Sequence, residues 1–247
     1  MSDQVLFEVR DGLATITLNR PQKLNALNYA VFRELNAHVD AIAAQADRIG
    51  CVVLRGAGRS FCAGHDLDDI SGGGEGGNVA QFESRTVEKL SELPMAVVGV
   101  VQGHCLTGGL ELALGADILI AGESARFADT HGKWDLVPVW GMSQRLPRRV
   151  GRAKALEMMF TSRTYSGREA EAMGLVNFCV ADSELDAAVA NFVKDVLANS
   201  WRSNRANKKL LNDTDGMNLK AGVAHEIHRS EGRGTEMAER LARMRKK

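Results

Sequence analysis

The chain has 247 residues, of which 45% are hydrophobic, so it is long enough to bury a full core. Its 31 lysines and arginines balance its 31 aspartates and glutamates, which gives no reason to expect nucleic acid or a membrane surface as a partner. A soluble, cytoplasmic protein is expected, because the chain has no signal-like N-terminus and no run near the ~20 apolar residues of a membrane span.

The first predicted elements are a hairpin and a helix. Residues 6–10 and 13–18 alternate apolar and polar side chains around Asp11-Gly12, a pair typical of a two-residue turn. Residues 28–49 carry apolar side chains at helical spacing, which predicts a helix.

Two segments of one design follow, each a glycine turn that comes directly after an apolar strand. The strand at residues 51–54 leads into Ser60-Phe-Cys-Ala-Gly-His-Asp-Leu67, and the strand at residues 95–101 leads into Gly103-His-Cys-Leu-Thr-Gly-Gly-Leu-Glu111 and a helix over 110–116. Glycine turns of this kind leave backbone N–H groups open to a ligand. Two such groups directed at one oxygen would form an oxyanion hole, which favours reactions that build negative charge on a carbonyl.

Glu111 lies one turn into the helix that follows the second glycine turn, where its carboxylate can lie beside a bound group. Acidic residues are also common in first helical turns because the helix dipole favours them. The adjacent glycines favour a catalytic role.

The glycine-rich stretch between the two segments, residues 71–78, holds five glycines in eight residues and predicts a mobile loop. It is either a lid over a bound group or a surface insertion. A further strand is predicted at residues 117–121, and from about Gly151 the pattern is mainly helical.

Five segments in chain order resemble the crotonase superfamily, also called the enoyl-CoA hydratase/isomerase superfamily. They span residues 18–27, 60–67, 103–117, 136–151 and 167–176. Thr107 stands where the family has the first of three glycines. The resemblance implies an α/β fold in two parts. Residues 1–190 form a spiral of repeated ββα units that holds an acyl-CoA site, and residues 191–247 form a helical region that packs into homotrimers or dimers of trimers.

The resemblance also implies the chemistry, which is hydration of a 2-enoyl-CoA by way of a thioester enolate. The backbone N–H groups of Ala63 and Gly108 would hold the enolate oxygen. Glu111 matches the first of two glutamates that hold the water in hydratases, and the second position is occupied by His131.

Three explanations of His131 remain open. The histidine can replace the second glutamate, oriented by Asp135 if residues 130–136 are helical. Glu111 can instead act alone or with His131, as an isomerase or in attack on a thioester or C–C bond. The site can also bind acyl-CoA without turning it over.

The family binds CoA mainly through backbone groups, and CoA is part of the substrate, so no separate cofactor is expected. The implied substrate contacts are Lys23, Asn25, Ala26, Leu27, Gly64, His65, Asp66, Leu67, Gly109, Asp135 and Trp140. Lys208 is the candidate for the CoA phosphates.

No metal is expected, because Cys51, Cys62, Cys105 and Cys179 show neither a C-x-x-C pair nor metal-ligand spacing with histidine. They are predicted to be buried, reduced thiols.

Overall fold

A six-stranded sheet lies at the centre of the computed structural model, which describes residues 3–66 and 78–245. Its strands run in the order β1-β2-β3-β4-β6-β9, and only the β1–β2 pair is antiparallel. They are β1 Val5–Arg10, β2 Leu13–Leu18, β3 Cys51–Gly56, β4 Ala96–Val101, β6 Ile118–Gly122 and β9 Phe178–Val180. A smaller sheet has the order β5-β7-β8, formed by His104–Leu106, Arg126–Ala128 and Tyr165–Ser166.

Ten α-helices are described around the sheets. In chain order, α1 to α10 are Tyr29–Ala44, Asn78–Glu92, Gly108–Ala113, Met142–Val150, Arg152–Thr161, Gly167–Ala172, Leu185–Ala198, Trp201–Thr214, Leu219–Arg229 and Met237–Met244. Short 3₁₀ turns join several of them, including Ala46–Arg48 and His131–Lys133.

The predicted hairpin is confirmed, and its turn has the expected chemistry. Asp11 and Gly12 both have positive φ, 51° and 83°, as a two-residue turn between twisted strands requires. The predicted first helix begins as expected, because the Asn28 side chain caps it by accepting from the Val31 N–H. The helix ends at Ala44 rather than at residue 49, and a 3₁₀ turn at Ala46–Arg48 follows it.

The strand and helix order produces the expected repeats. After β4 the chain forms β5 in the small sheet and then α3; after β6 it forms β7 in the small sheet and then α4 and α5. In each of these repeats, the chain adds one strand to the central sheet and one strand to the small sheet before it forms a helix. The α/β fold of repeated ββα units is confirmed.

The central sheet is covered on both faces, which explains why its parallel strands are almost continuously apolar. The larger core lies on the side of α1, where Phe32, Leu35 and Ile42 are fully buried. A smaller core lies against α7, whose Val189 and Val193 pack with strand residues. The predicted boundary between residues 190 and 191 falls inside α7, and the division into two parts stays a prediction.

The four cysteines are buried free thiols, as predicted. Burial raises the pKa of Cys51 and Cys62 to about 12, so these thiols are unreactive. Within residues 3–66 and 78–245, no helix is long and apolar enough to cross a membrane, and no cluster of metal-ligating side chains is found. Leu67 and all of the predicted loop at residues 71–78 except Asn78 lie outside the described residues.

Candidate active site

The two glycine turns predicted from the sequence lie side by side. The Cys62 N–H donates to the His104 carbonyl (2.8 Å), and the Leu106 N–H donates to the Cys62 carbonyl (3.0 Å). Gly109 packs directly on this contact, because a Cβ built on it would lie 2.5 Å from the Cys62 carbonyl oxygen. Gly109 therefore allows close packing of two backbones, and the substrate contact predicted for it stays a prediction.

Gly108 is the first residue of α3, so its N–H has no acceptor within the helix. A Cβ built on Gly108 would lie 2.5 Å from the Trp140 Cζ3 atom. The indole of Trp140, which is only 4% exposed, thus packs against the turn that presents this N–H.

The first predicted oxyanion donor needs correction. The Ala63 N–H donates to the Leu24 carbonyl at 3.0 Å, so it is not directed at a substrate. The next peptide bonds show which N–H takes its place. The Gly64 carbonyl accepts from the Leu27 N–H (2.8 Å), and in a trans peptide the His65 N–H points the opposite way.

Gly64 itself lies against the small sheet and the start of α3. A Cβ built on Gly64 would lie 3.8 Å from the Gly108 nitrogen, so the two turns meet there. The His65 and Gly108 N–H groups are therefore the candidate oxyanion donors. The glycine pattern located the turn, but which N–H faces the site depends on peptide orientations that composition does not encode.

Glu111 is almost fully buried and rigidly held. Its Oε1 accepts from the backbone N–H groups of Trp140 (2.8 Å) and Met142 (3.1 Å). Burial raises the pKa of this carboxyl, and the two N–H donors offset part of that effect. Its Oε2 is directed at His131.

The structure brings His131 to Glu111, as the sequence predicted. The Nε2 atom of His131 lies 3.5 Å from Glu111 Oε2, and its Nδ1 lies 2.5 Å from Asp129 Oδ1. Asp129 also accepts from the His131 backbone N–H at 3.1 Å. All three side chains are buried. Together their contacts form a line from Asp129 through the imidazole to Glu111.

The prediction that Asp135 orients His131 is wrong. Residues 130–136 are not one helix: a 3₁₀ turn covers only His131–Lys133, and Asp135 itself has a φ of 54°. Asp135 is exposed as a result. Sequence reasoning missed Asp129, although its place directly after strand β7 was an available signal.

The contacts within this line favour one arrangement of hydrogens when Asp129 is ionised. An ionised carboxylate only accepts hydrogen bonds, so the close Asp129 contact places a hydrogen on His131 Nδ1. In the neutral imidazole, Nε2 is then an acceptor that faces another acceptor, Glu111 Oε2. Two facing acceptors need a shared proton or a molecule that donates to both.

Thr107 ties the two halves of the site together. Its side-chain oxygen bonds to the Thr130 hydroxyl and accepts from the Thr130 N–H (3.2 Å). Thr107 has a φ of 51°, which is unusual for a β-branched residue. The start of α3 is thereby fixed to the segment that carries His131.

Several of the residues predicted to contact CoA also bond within the chain, and their contact with CoA stays a prediction. Asn25 is buried and donates to the carbonyls of Ala57 and Ser60. Asp66 pairs with Arg20 at 2.8 Å, a partner that the sequence did not suggest. These bonds hold the opening segment against the first glycine turn.

The remaining predicted contacts lie near these bonds between the opening segment and the first glycine turn. Leu27 is buried and bridges to His65, Ala26 is half-buried and Lys23 is exposed. Lys208 does not match its predicted phosphate role: its Nζ bonds to Asp117 Oδ2 (2.7 Å) and to the Met95 carbonyl (3.2 Å), and its side chain is largely buried.

The chain is similar to known proteins along most of its length. It matches the family model described as enoyl-CoA hydratase/isomerase over residues 8–236. It is 31% identical over 247 aligned residues to the 1,2-epoxyphenylacetyl-CoA isomerase of Escherichia coli, covering 97% of this chain and 94% of the relative.

Solved structures show the same similarity. The enoyl-CoA hydratase of Mycobacterium tuberculosis H37Rv is 35% identical, with a TM-score of 0.77 over 93% of this chain and 98% of that one. A Thermobifida fusca protein described as an enoyl-CoA hydratase, solved with acetoacetyl-CoA, is 29% identical. Its TM-score is 0.84 over 98% of this chain and 96% of that one.

Proposed function

Because this chain belongs to the enoyl-CoA hydratase/isomerase family, we propose that it adds water across the double bond of a 2-enoyl-CoA thioester. One observation carries the proposal. Glu111 Oε2 and His131 Nε2 lie 3.5 Å apart in a buried site, and both are hydrogen-bond acceptors when Glu111 is ionised and the imidazole hydrogen is on Nδ1. A water molecule that donates one hydrogen to each would be held there with its lone pairs directed outward.

The thioester oxygen is held by the two glycine turns. The N–H groups of His65 and Gly108 would donate to this oxygen, and the negative charge it gains in the enolate strengthens both bonds. Losing one such donor typically costs about 3 kcal/mol of transition-state stabilisation. The similarity to a protein solved with acetoacetyl-CoA supports a CoA thioester as the substrate.

Hydration of the double bond then requires no reactant other than water. The water oxygen forms a bond to C3, and the electrons of the double bond move through C2 to the thioester oxygen. One water proton passes to Glu111 or His131 and is returned to C2, while the other stays in the new hydroxyl group. A carboxyl whose pKa is raised by burial is suited to hold and return this proton.

Asp129 has a supporting role in this scheme. By accepting the Nδ1 hydrogen it keeps His131 Nε2 free to accept from water, and it stabilises the imidazolium when Nε2 takes a proton. It acts through His131 and does not reach the substrate itself.

The first experiment is turnover of crotonyl-CoA by the purified protein, followed as loss of enoyl absorbance. We expect the wild type to hydrate it. Glu111→Gln and His131→Ala should each lower kcat by about 10²-fold or more, while the dissociation constant for butyryl-CoA stays within a few-fold. Full activity of either variant would remove that residue from the mechanism.

His131→Glu, assayed in parallel, tests the native reaction. If only this variant hydrates crotonyl-CoA, the wild type catalyses something else on the same scaffold. Double-bond migration is then the second candidate, because the facing Glu111 and His131 can pass a single proton along an acyl chain and the Escherichia coli relative is named an isomerase. Tight thioester binding without turnover by either protein would favour a binding function.

A further inference from the structure

A second buried cluster lies beside the site, around the indole of Trp140 that packs on Gly108. Glu83 projects from helix α2 and is only 3% exposed. On the same helix Val87 and Leu90 are fully buried, so Glu83 occupies the next position of an apolar stripe. A carboxylate at such a position carries a large desolvation cost.

The surroundings of Glu83 compensate only part of that cost. Its Oε1 lies 3.6 Å from His65 Nε2, too far for a hydrogen bond, and this oxygen has no hydrogen-bond partner among the residues that the structure describes. Buried acceptors without a donor are rare in folded proteins, and a missing ligand is one explanation for them.

Trp140 carries the complementary group. Its buried Nε1–H has no acceptor within the described parts of the chain. The Trp140 ring meets the His65 ring edge to face at 5.5 Å, so His65 joins the indole to Glu83. The cluster thus offers one unused acceptor and one unused donor.

The position of the indole places this cluster relative to the substrate. Trp140 Cζ3 packs on Gly108, whose N–H is a proposed donor to the thioester oxygen. The indole nitrogen lies across the ring system from Cζ3. A substrate group that reaches Nε1 would therefore lie further along the acyl chain than the thioester at Gly108.

We propose that Glu83, His65 and Trp140 form a polar subsite for the acyl group, and that the preferred substrates are acyl-CoA thioesters with a hydroxyl group beyond the reacting double bond. This inference rests on the proposed function for the location of the thioester. A hydroxyl group suits the subsite because it donates one hydrogen bond, to Glu83, and accepts another, from Trp140. A purely apolar chain leaves both protein groups unpaired, which selects against it.

The test compares five-carbon 2-enoyl-CoA thioesters that are unsubstituted or carry a hydroxyl at C4 or C5. We expect the wild type to favour one hydroxylated substrate at least about tenfold in kcat/KM. Glu83→Leu should abolish that preference and improve kcat/KM for the unsubstituted chain. Equal kcat/KM values for all three substrates in the wild type, or an unchanged preference in Glu83→Leu, would overturn the proposal.

Two further variants provide a control and a second test of the subsite. Glu88→Gln is the matched control, because Glu88 is an exposed glutamate on the same helix, and it should keep the wild-type preference. Trp140→Phe keeps the ring but removes the N–H, so it tests the subsite even if Glu83→Leu does not fold. It should weaken the preference several-fold, and an unchanged preference would remove the indole from the subsite.

Binding measurements distinguish failure of this proposal from failure of the proposed function. If the wild type turns over none of the three thioesters, dissociation constants measured by calorimetry for the same compounds still report the hydroxyl preference. A preference of about tenfold in the wild type that disappears in Glu83→Leu supports the subsite without hydration. Equal dissociation constants would reject the subsite.

Discussion

At the residue scale, Glu111 shows how activity and stability oppose each other in one side chain. Burial raises the pKa of its carboxyl above the value in the unfolded chain, so the folded protein holds this proton more tightly. The stabilisation is complete below the unfolded pKa of about 4.3 and is lost as pH rises through the folded pKa. At pH values above the folded pKa, ionised Glu111 therefore destabilises the fold.

Glu111→Gln is expected to be more stable than the wild type at pH 8 and to lose this advantage near pH 4. The glutamine oxygen can keep the two backbone N–H bonds, and its amide can donate to His131 Nε2. Urea unfolding at the two pH values measures the difference. A variant that is less stable than the wild type at pH 8 would show that ionised Glu111 stabilises the site.

Asp129→Asn tests the proton arrangement on His131. An asparagine amide can donate to Nδ1, which then places the imidazole hydrogen on Nε2 and removes the acceptor needed for water. We expect kcat to fall about 10²-fold to 10⁴-fold with little change in butyryl-CoA binding.

The matched control is Asp195→Asn, an exposed acid on helix α7, which should leave kcat unchanged. If both variants lose the same activity, or neither does, Asp129 does not set the tautomer. The pH dependence of kcat for Asp129→Asn should also shift, which a loss of folding alone would not produce.

At the element scale, local patterns predicted the hairpin, the strands at residues 51–54, 95–101 and 117–121 and both glycine turns, because those features depend on residue periodicity and turn chemistry. The sequence did not predict the pairing of His131 with Asp129. Helical spacing favoured Asp135, and the positive φ of Asp135 that excludes it is a property of the folded loop. The exchange of Ala63 for His65 has a similar cause, since peptide orientation is set by the neighbouring Leu24 and Leu27 backbones.

The start of helix α3 provides a test of how one element positions another. Thr107 keeps a positive φ at a cost of order 1–3 kcal/mol, and its hydroxyl fixes the segment before His131. Thr107→Gly should relieve the backbone cost but lower kcat about tenfold, because His131 is no longer held. Thr107→Ser keeps the hydroxyl and should retain most of the activity.

Steady-state kinetics and thermal unfolding of the two variants separate these effects. The expected pattern is a glycine variant that is as stable as the wild type but less active, and a serine variant that is active. Equal activity in both would show that the hydroxyl bond between Thr107 and Thr130 does not position the catalytic residues.

At the scale of the whole molecule, the two ends of the chain differ in how completely they bury apolar side chains. The sheets and α1 to α7 enclose both cores, whereas α8 and α9 leave large apolar residues in solvent. Leu211, Leu219 and Ile227 are 73%, 84% and 71% exposed in the single chain. Exposed apolar surface of this size is typical of an interface between subunits.

A homotrimer or dimer of trimers therefore stays the expected assembly, and light scattering after size exclusion should give three or six times the 26.8 kDa chain mass. Leu219→Asp and Ile227→Asp together should shift the mass towards the monomer, because each would bury an unpaired charge in the interface. The fold of the single chain should survive, since both side chains are exposed within it. Leu6→Asp, an exposed leucine on strand β1, is the control that should leave the mass unchanged. A wild-type monomer at micromolar concentration would contradict the expected assembly and leave the apolar faces of α8 and α9 for another partner.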